Sequence, residues 1–523
     1  WPQSSDASWQ GTKPSPPSRD TELHCLLMAL FCRQRLLCAA WALAISRVPP
    51  CADALQATAS QLLSSLGALD ASSPAAGDGV ATSGGIARTP LRQQLMNSDG
   101  HGLEYVAALT VGGQEIKGIF DTGSYELLVF SSRCKTCGDV AEFFDSSHST
   151  TFEGHSLSTM HSFGSGDTFS QLAYDRVTLH PPLAIEKQYF WEVIDADLPV
   201  LSEESFQAII GVGPPSTPHL DSQMKSDGPK KLLKAIEEDP SRTAGPKLLN
   251  ASRDALELVG AKTVLENLEV EAFSVCLRRQ PEDADGMVVW YDDAARKSAP
   301  GIFTRVPVNS MLTWGVHFGN ARMRAQDGRG DETVLGCTGP CAAIVDSGTS
   351  LLVAPLSVLN RALTYLNTLE DDCSNMAAMP NLVFDLGGQE FSLPPEAYIG
   401  QVIGTLPESL PLGLGRKPKT GVVRCEVLIL PADISSKQGE MWILGMPFLR
   451  EYYTTFEIGP DIWNKSARSL SIAHAGDDCT PSQPGNPNAA SMLQPRRPRT
   501  VDLSRVQLPA WVVNAAKKGW LDL

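Results

Sequence analysis

The chain has 523 residues, of which 42% are hydrophobic, so it can bury a core and form two or three domains of ordinary size. Its formal net charge of −16 at pH 7 argues against nucleic acid as a partner. Some of its 12 cysteines are closely spaced, which is typical of disulfides formed in an oxidising compartment. These properties predict a globular, disulfide-containing protein.

The first stretch with a clear pattern has the features of a signal peptide, over residues 28–54. Met28 precedes the basic Arg33 and Arg35, and an apolar run over 36–45 is followed by small residues up to Ala54. The apolar run is too short to span a bilayer. We therefore predict a start at Met28, with residues 1–27 a non-native leader or gene-model artefact and no transmembrane segment in the mature chain. The alternative is a genuine long leader or an anchored N-terminus.

Two distant segments share one chemical pattern. Ile119–Ser124 and Ile344–Ser350 each run from apolar, strand-like residues into Asp, a hydroxyl residue, Gly and a second hydroxyl residue. A strand that ends in a tight glycine turn would hold its Asp rigidly. If two such loops faced each other, Asp121 and Asp346 could not both ionise easily and would share a proton. Such a pair supplies the acid and the base that activate water against a peptide carbonyl.

The flanks of these segments are also repeated. An apolar run follows each loop, at Leu127–Phe130 and at Leu351–Pro355. A segment of apolar residues ending in Gly then follows, about 90 residues after Asp121 at Gly211 and about 100 residues after Asp346 at Gly445. This period is far longer than that of a solenoid repeat, so it indicates a duplicated lobe.

With these motifs, the chain from about Leu103 to Ala475 resembles the pepsin-like (family A1) aspartic endopeptidases. The resemblance implies an all-β, bilobal fold with pseudo-two-fold lobes around a central cleft, with an N-terminal lobe over 100–270 and a C-terminal lobe over 271–475. It implies that Asp121 and Asp346 are the catalytic pair, without a cofactor or a metal ion.

The resemblance also assigns supporting roles to the residues beside the aspartates. Ser124 and Thr349 would bond the outer carboxylate oxygens, while Thr122 and Ser347 would clasp the two loops together. The full supporting set comprises Thr122, Gly123, Ser124, Ser347, Gly348 and Thr349.

The segment Ser162–Asp167 matches the flap, the hairpin that closes over substrate in this family. Phe163 stands where the family has Tyr, and Leu128 stands where it has the Trp that is hydrogen-bonded to that tyrosine hydroxyl. Because both members of that pair are replaced, we expect a more mobile flap and a reduced rate. Gly164 and Ser350 complete the predicted substrate-binding and flap residues.

Three further segments are predicted, the first two by comparison with the family pattern and the third, which lies beyond the resemblance, by its composition. Residues 55–99 would be a pro-segment, and residues 214–268 would be an insertion carrying a surface helix over 230–238. Residues 476–523 would be a disordered tail with a short terminal helix.

The cysteines allow more than one interpretation, since a CxxC such as Cys134 to Cys137 can be a redox or zinc element. The resemblance instead implies three disulfides, Cys134–Cys137, Cys337–Cys341 and Cys373–Cys425. Cys276 and Cys479 are expected to stay unpaired. Glycosylation sequons begin at Asn250 and Asn464.

The sequence therefore predicts an aspartic endopeptidase that cleaves polypeptide substrates beside bulky apolar residues and is inhibited by pepstatin-type compounds. We expect a monomer of the secretory pathway, secreted or held in an acidic vacuolar or lysosomal compartment. The alternative is a catalytically weak or inactive pseudoprotease that binds peptides or a partner protein, because Phe163 and Leu128 depart from the family pattern. A third interpretation is a redox or zinc protein built on the paired cysteines.

Overall fold

The structure is a computed structural model. It describes residues 93–98, 103–138, 143–163, 166–197, 206–239, 241, 243–278, 285–298, 300–329, 331–404, 423–483 and 497–506. The predicted leader, the signal peptide, the pro-segment up to residue 92 and the terminal helix lie outside these residues.

The described chain is mostly β-strand. Its first half forms β1 (Gln93–Ser98), β2 (Tyr105–Val111), β3 (Gln114–Asp121), β4 (Leu127–Phe130), β5 (Glu153–Phe163), β6 (Gly166–His180), β7 (Leu183–Asp197) and β8 (Ala208–Gly211). The middle of the chain forms β9 (Ala272–Leu277), β10 (Gly286–Trp290), β11 (Thr304–Pro307), β12 (Gly315–Arg324), β13 (Thr333–Gly336), β14 (Cys341–Val345), β15 (Leu352–Ala354), β16 (Asn381–Leu386) and β17 (Gln389–Leu393). The last part forms β18 (Ile399–Ile403), β19 (Arg424–Val427), β20 (Ile429–Pro431), β21 (Ser435–Ser436), β22 (Gly439–Leu444), β23 (Tyr452–Glu457), β24 (Ser469–Ala475), β25 (Pro481–Ser482) and β26 (Thr500–Asp502).

The helices are short, and several fall in the predicted insertion. They are α1 (Ser216–Lys225), α2 (Asp227–Glu238), α3 (Pro246–Leu258), α4 (Val264–Asn267), α5 (Leu356–Tyr365), α6 (Pro395–Tyr398) and α7 (Met446–Glu451). The helix expected over 230–238 is therefore present as α2, which has no buried residue. No helix in the described ranges is long and apolar enough to cross a membrane.

The two halves of the chain repeat one pairing pattern. β3 lies parallel to β8, and β8 lies antiparallel to β4, which is parallel to β7. In the second half, β14 lies parallel to β22, and β22 lies antiparallel to β15, which is parallel to β20. The predicted all-β, two-lobed architecture is confirmed, and one of the two aspartate loops follows the first strand of each motif.

These central strands are apolar on both faces because they are covered on both sides. Every residue of β4, β8, β14 and β15 is buried. A continuous apolar run is typical of such doubly covered strands, whereas β2 alternates between buried and more exposed positions. The loops that leave β3 and β14 therefore start from rigid, buried bases.

A large sheet joins the two halves. Its order includes β24–β23–β9–β10–β1–β2–β3–β8, so β1 lies between a strand of the second half and a strand of the first. Residues 93–98 belong to the predicted pro-segment, yet they pair with β2 and β10 as an integral strand of this sheet.

The prediction of a disordered tail over 476–523 is wrong for the parts of the tail that the structure describes. β25 pairs with β24, and β26 pairs in parallel with β18. Val501 and Val506 are buried in one hydrophobic cluster with Leu103 and Val402. Apolar burial and strand hydrogen bonds fix these short parts of the tail on the body.

The expectation that Cys276 and Cys479 stay unpaired is also wrong. The structure forms the three expected disulfides and a fourth between Cys276 and Cys479, which are 203 residues apart. Cys276 lies on β9, next to β23 in the sheet, and Tyr453 on β23 shares one buried cluster with both cysteines. The sheet therefore brings together two cysteines whose sequence positions give no sign of proximity.

Candidate active site

The two loops predicted to be catalytic begin at equivalent places. Asp121 is the last residue of β3 and is paired in register with Gly211, the last residue of β8. Asp346 follows β14 directly, and its N–H donates to Leu444 at the end of β22 (3.0 Å). Each aspartate therefore extends from a buried parallel strand pair.

Gly211, which ends β8, and Gly445, which follows β22, each lie in close contact with the backbone of a neighbouring segment. A Cβ at Gly211 would lie 2.5 Å from the backbone nitrogen of Glu126, and one at Gly445 would collide with the carbonyl of Leu351. Any larger residue would push the loops out of position, so these glycines are required by close approach.

The two aspartate loops are in direct contact with each other. A Cβ at Gly123 would lie 2.6 Å from Cγ of Asp346, and a Cβ at Gly348 would overlap with the carboxylate of Asp121. Each loop glycine therefore abuts the aspartate of the other loop, which brings the two carboxyls together.

Thr122 and Ser347 join the two loops by hydrogen bonds. The N–H of Thr122 donates to Ser347 Oγ (3.0 Å), and the N–H of Ser347 donates to Thr122 Oγ1 (2.9 Å). Each hydroxyl then donates to a backbone carbonyl of the opposite strand, Thr122 to Val345 (3.1 Å) and Ser347 to Phe120 (2.7 Å). This closed set of buried bonds holds the carboxyls in a fixed relation.

The inner carboxylate oxygens are bound by equivalent backbone groups. The N–H of Gly123 donates to Oδ1 of Asp121 (2.8 Å), and the N–H of Gly348 donates to Oδ1 of Asp346 (2.9 Å). Thr349 donates its hydroxyl to Oδ2 of Asp346 (2.6 Å).

Ser124 does not form the matching bond. Its buried Oγ lies near enough to Asp121 to lower the pKa of that carboxyl, but it has no well-formed hydrogen bond with any described residue. The two halves of the site are thus asymmetric in their outer hydroxyl contacts.

The aspartates form a buried, coupled pair, with Asp121 6% and Asp346 0% exposed. Burial raises the pKa of Asp346 well above its ordinary range, and the negative charge of Asp121 raises it further. Burial also raises the pKa of Asp121, although hydrogen bonds, including one from Asp346, oppose that rise. We therefore assign the shared proton to Asp346, which donates it to the ionised Asp121.

This coupling predicts a pH dependence of stability. The raised pKa values mean that the folded protein binds more protons than the unfolded chain, so the free energy of unfolding falls as pH rises through the folded pKa values. Asp346→Asn removes one charge from the pair, so its Tm relative to wild type should increase between pH 3 and pH 7. In a folded body of this size, each kcal/mol of difference in the free energy of unfolding shifts Tm by about 1 °C. Calorimetry at matched pH measures this, with the exposed Asp331→Asn as control. A difference in Tm that is independent of pH would contradict the assignment.

The predicted flap residues occupy different environments. Phe163 ends β5, its side chain lies outside the described residues, and Gly164 lies outside them entirely. Leu128 is buried in a hydrophobic cluster with Trp191 and Ile119. Ser350 is buried and donates its hydroxyl to the carbonyl of Leu103 (2.9 Å).

Sequence reasoning passed over Glu126, a carboxylate buried between the first catalytic loop and the flap strand β5. Its side chain bonds to His161 and Trp191. The sequence did contain one indication of this contact: an acidic residue directly precedes the wholly apolar strand β4. A carboxylate buried there needs a hydrogen-bonding or charged partner.

A pocket of about 210 Å³ lies between β5 and the inserted helices. Glu126, Leu157, Trp191 and Leu258 are among its lining residues, whereas Asp121 and Asp346 are not. The insertion therefore packs against β5 around a pocket that the two aspartates do not line.

The paired cysteines are not free metal ligands. Cys337 and Cys341 lie near Glu440 in a group whose atoms could surround a metal ion, but their sulfurs are joined in a disulfide. Asn250 and Asn464 are both exposed, and their glycosylation remains a prediction.

Comparison with known proteins gives a consistent result. A family model described as eukaryotic aspartyl protease matches residues 104–236 and 250–463. The chain is 26% identical to a cathepsin E of Aquarana catesbeiana over 369 residues, covering 68% of this chain and 77% of the relative. It is also 26% identical to pepsin A of Bos taurus, covering 68% and 82%, and 27% identical to a cathepsin D of Chionodraco hamatus, covering 65% and 74%.

Proposed function

Because the chain belongs to the eukaryotic aspartyl protease family, we propose that it is an aspartic endopeptidase that uses Asp121 and Asp346 to hydrolyse peptide bonds. The observation that carries the proposal is the buried, hydrogen-bonded carboxyl pair held by the contacts between Thr122 and Ser347. Two adjacent carboxyls with one proton contain both a base and an acid.

In the proposed reaction, a water molecule is bound between the two carboxyls. Asp121 takes a proton from this water as its oxygen attacks the scissile carbonyl carbon, while Asp346 gives its proton to the carbonyl oxygen. The product is a neutral gem-diol. Asp121 then gives its proton to the peptide nitrogen, Asp346 takes a proton from a hydroxyl of the gem-diol, and the C–N bond breaks to give an acid and an amine. Asp346 is again protonated and Asp121 again ionised, and no covalent intermediate with the enzyme forms.

Substrate and location are parts of the same proposal. Extended polypeptides with bulky apolar residues beside the cut are the expected substrates, and pepstatin-type compounds the expected inhibitors. The four disulfides in the described part of the chain are consistent with folding in the secretory pathway, where the protein would be secreted or kept in an acidic compartment as a monomer.

The test is cleavage of an unfolded protein substrate between about pH 3 and pH 7, the range in which a carboxylate pair titrates. The sample should begin shortly before Gln93, because β1 pairs with β2 and β10 and belongs to the folded body. We expect acid-favoured cleavage that pepstatin blocks. A folded sample that binds immobilised pepstatin yet cleaves nothing would overturn the proposal in favour of a pseudoprotease.

A further inference from the structure

A buried carboxylate links the first catalytic loop to the flap. Glu126 lies five residues after Asp121, directly before β4, and is 9% exposed. Both of its carboxylate oxygens have a partner. Oε1 accepts a hydrogen bond from Trp191 Nε1 (2.7 Å), and Oε2 lies 3.1 Å from His161 Nε2. A buried charge of this kind persists only when it is paired and hydrogen-bonded.

The three side chains come from three separate parts of the N-terminal half. His161 lies on β5, two residues before Phe163, which is the last residue of that strand. Trp191 lies on β7, in register with Leu128 on β4. The imidazole and indole rings also contact each other, with centroids 5.4 Å apart and an interplanar angle of 64°. We call Glu126, His161 and Trp191 the flap anchor.

The flap anchor lies close to the positions of Phe163 and Leu128, where the family's hydrogen bond between Tyr and Trp is missing. Leu128 cannot accept or donate a hydrogen bond, but its register partner Trp191 supplies an indole on the adjacent strand. Phe163 likewise has no polar atom in its side chain, whereas His161 on the same strand has one aimed at Glu126. A polar connection between flap and sheet is therefore present, made by other residues.

We propose that Glu126 and His161 are positioning residues that hold the flap strand β5 against the first catalytic loop, in place of a bond from the flap tip. This inference rests on the proposed proteolytic function, because the flap is expected to close over peptide. It replaces the expectation of a loosely held flap.

The charge state of Glu126 suits this role. Burial raises its pKa, but hydrogen bonds from His161 and Trp191, with the nearby charges of His161 and Lys225, more than offset that effect and lower the pKa overall. The carboxylate therefore stays ionised above this lowered pKa and is a strong acceptor there. Tyr125, Tyr189 and Asp221 are the other titratable groups around it.

The same strand offers a matched control. His155 Nδ1 lies 3.0 Å from Oδ1 of Asp254 on α3, and Oδ2 of Asp254 accepts from the N–H groups of Ser156 (2.7 Å) and Leu157 (3.1 Å). His155 and Asp254 thus form a second histidine–carboxylate pair on β5, but on the side of the inserted helices and farther from the end of the strand. Loss of this pair should not affect catalysis.

The experiment compares His161→Ala, His161→Gln, Glu126→Gln and the control His155→Ala. We expect His161→Ala to lower kcat/KM by about tenfold to hundredfold, as for loss of a hydrogen bond to a charged group. His161→Gln retains an N–H donor and should recover most of that loss, while His155→Ala should match wild type. Equal kcat/KM in His161→Ala and wild type would overturn the proposal.

Hydrogen exchange of residues 153–163 provides a readout that does not depend on cleavage. We expect faster exchange of these amides in His161→Ala and Glu126→Gln than in wild type, because the strand opens more often. If the two variants exchange faster than wild type but the wild-type protein cleaves no substrate, the flap anchor is supported and the proposed function is rejected. Unchanged exchange in both variants of an active enzyme would reject the flap anchor alone.

Discussion

We expect Asp121→Asn to lower kcat/KM for a protein substrate by about 10³-fold or more, as for loss of a group that acts together with its partner. Asparagine has nearly the same shape, so the loop contacts of Gly123 and Ser347 should persist. It cannot take a proton from water, however, and the ionised partner that accepts the proton of Asp346 is lost. The measurement is cleavage of an unfolded protein at the pH optimum of the wild type.

Two comparisons make this result specific. Asp346→Asn should cause a similar loss, because the two carboxyls act as one unit, whereas the exposed Asp331→Asn should retain wild-type activity. Residual cleavage by Asp121→Asn above a few per cent of wild type would show that another group supplies the base. Thermal unfolding of each variant separates loss of chemistry from loss of the fold.

The second large effect concerns stability. Replacing both Cys276 and Cys479 by alanine should lower the free energy of unfolding by about 5 kcal/mol, the loop-closure entropy for a separation of 203 residues. The bond joins β9 to the segment that follows β24, so it constrains the unfolded chain from the start of the predicted second lobe to the tail. Unfolding in guanidinium chloride, followed by tryptophan fluorescence, measures the change.

A short disulfide in the same protein is the control. Cys134 and Cys137 are separated by 3 residues, for which the same relation gives only about 2 kcal/mol. We therefore expect the double alanine variant at 134 and 137 to unfold at a clearly higher denaturant concentration than the variant at 276 and 479. The reverse order would contradict the assignment of a large entropic role to the long disulfide.

Much of the candidate site could be predicted because its chemistry lies in contiguous segments. Asp, hydroxyl residue and Gly follow one another within each loop, and the apolar runs before and after them identify buried strands. The repeat of the whole pattern indicated two lobes, since a chance Asp-Thr-Gly turn would not bring matching flanks with it. Local sequence is sufficient wherever the interacting groups are neighbours along the chain.

The bonds that sequence reasoning missed join residues far apart in the chain. His161 lies 35 residues from Glu126 and Trp191 lies 65 residues from it, and no pattern at any of the three positions points to the others. A buried acid only signals that a partner must exist, because charge cannot be left unpaired in a low dielectric. The register of β4 with β7 decided that the partner is Trp191.

The sequence by itself thus predicted the fold class, the two aspartate loops and three of the disulfides. Only the tertiary structure decided that Cys276 meets Cys479, that residues of the tail form β26, and that Glu126 meets His161. The physical reason is the same in each case. Strand pairing brings distant segments within bonding distance, and that pairing depends on the packing of the whole sheet rather than on any local pattern.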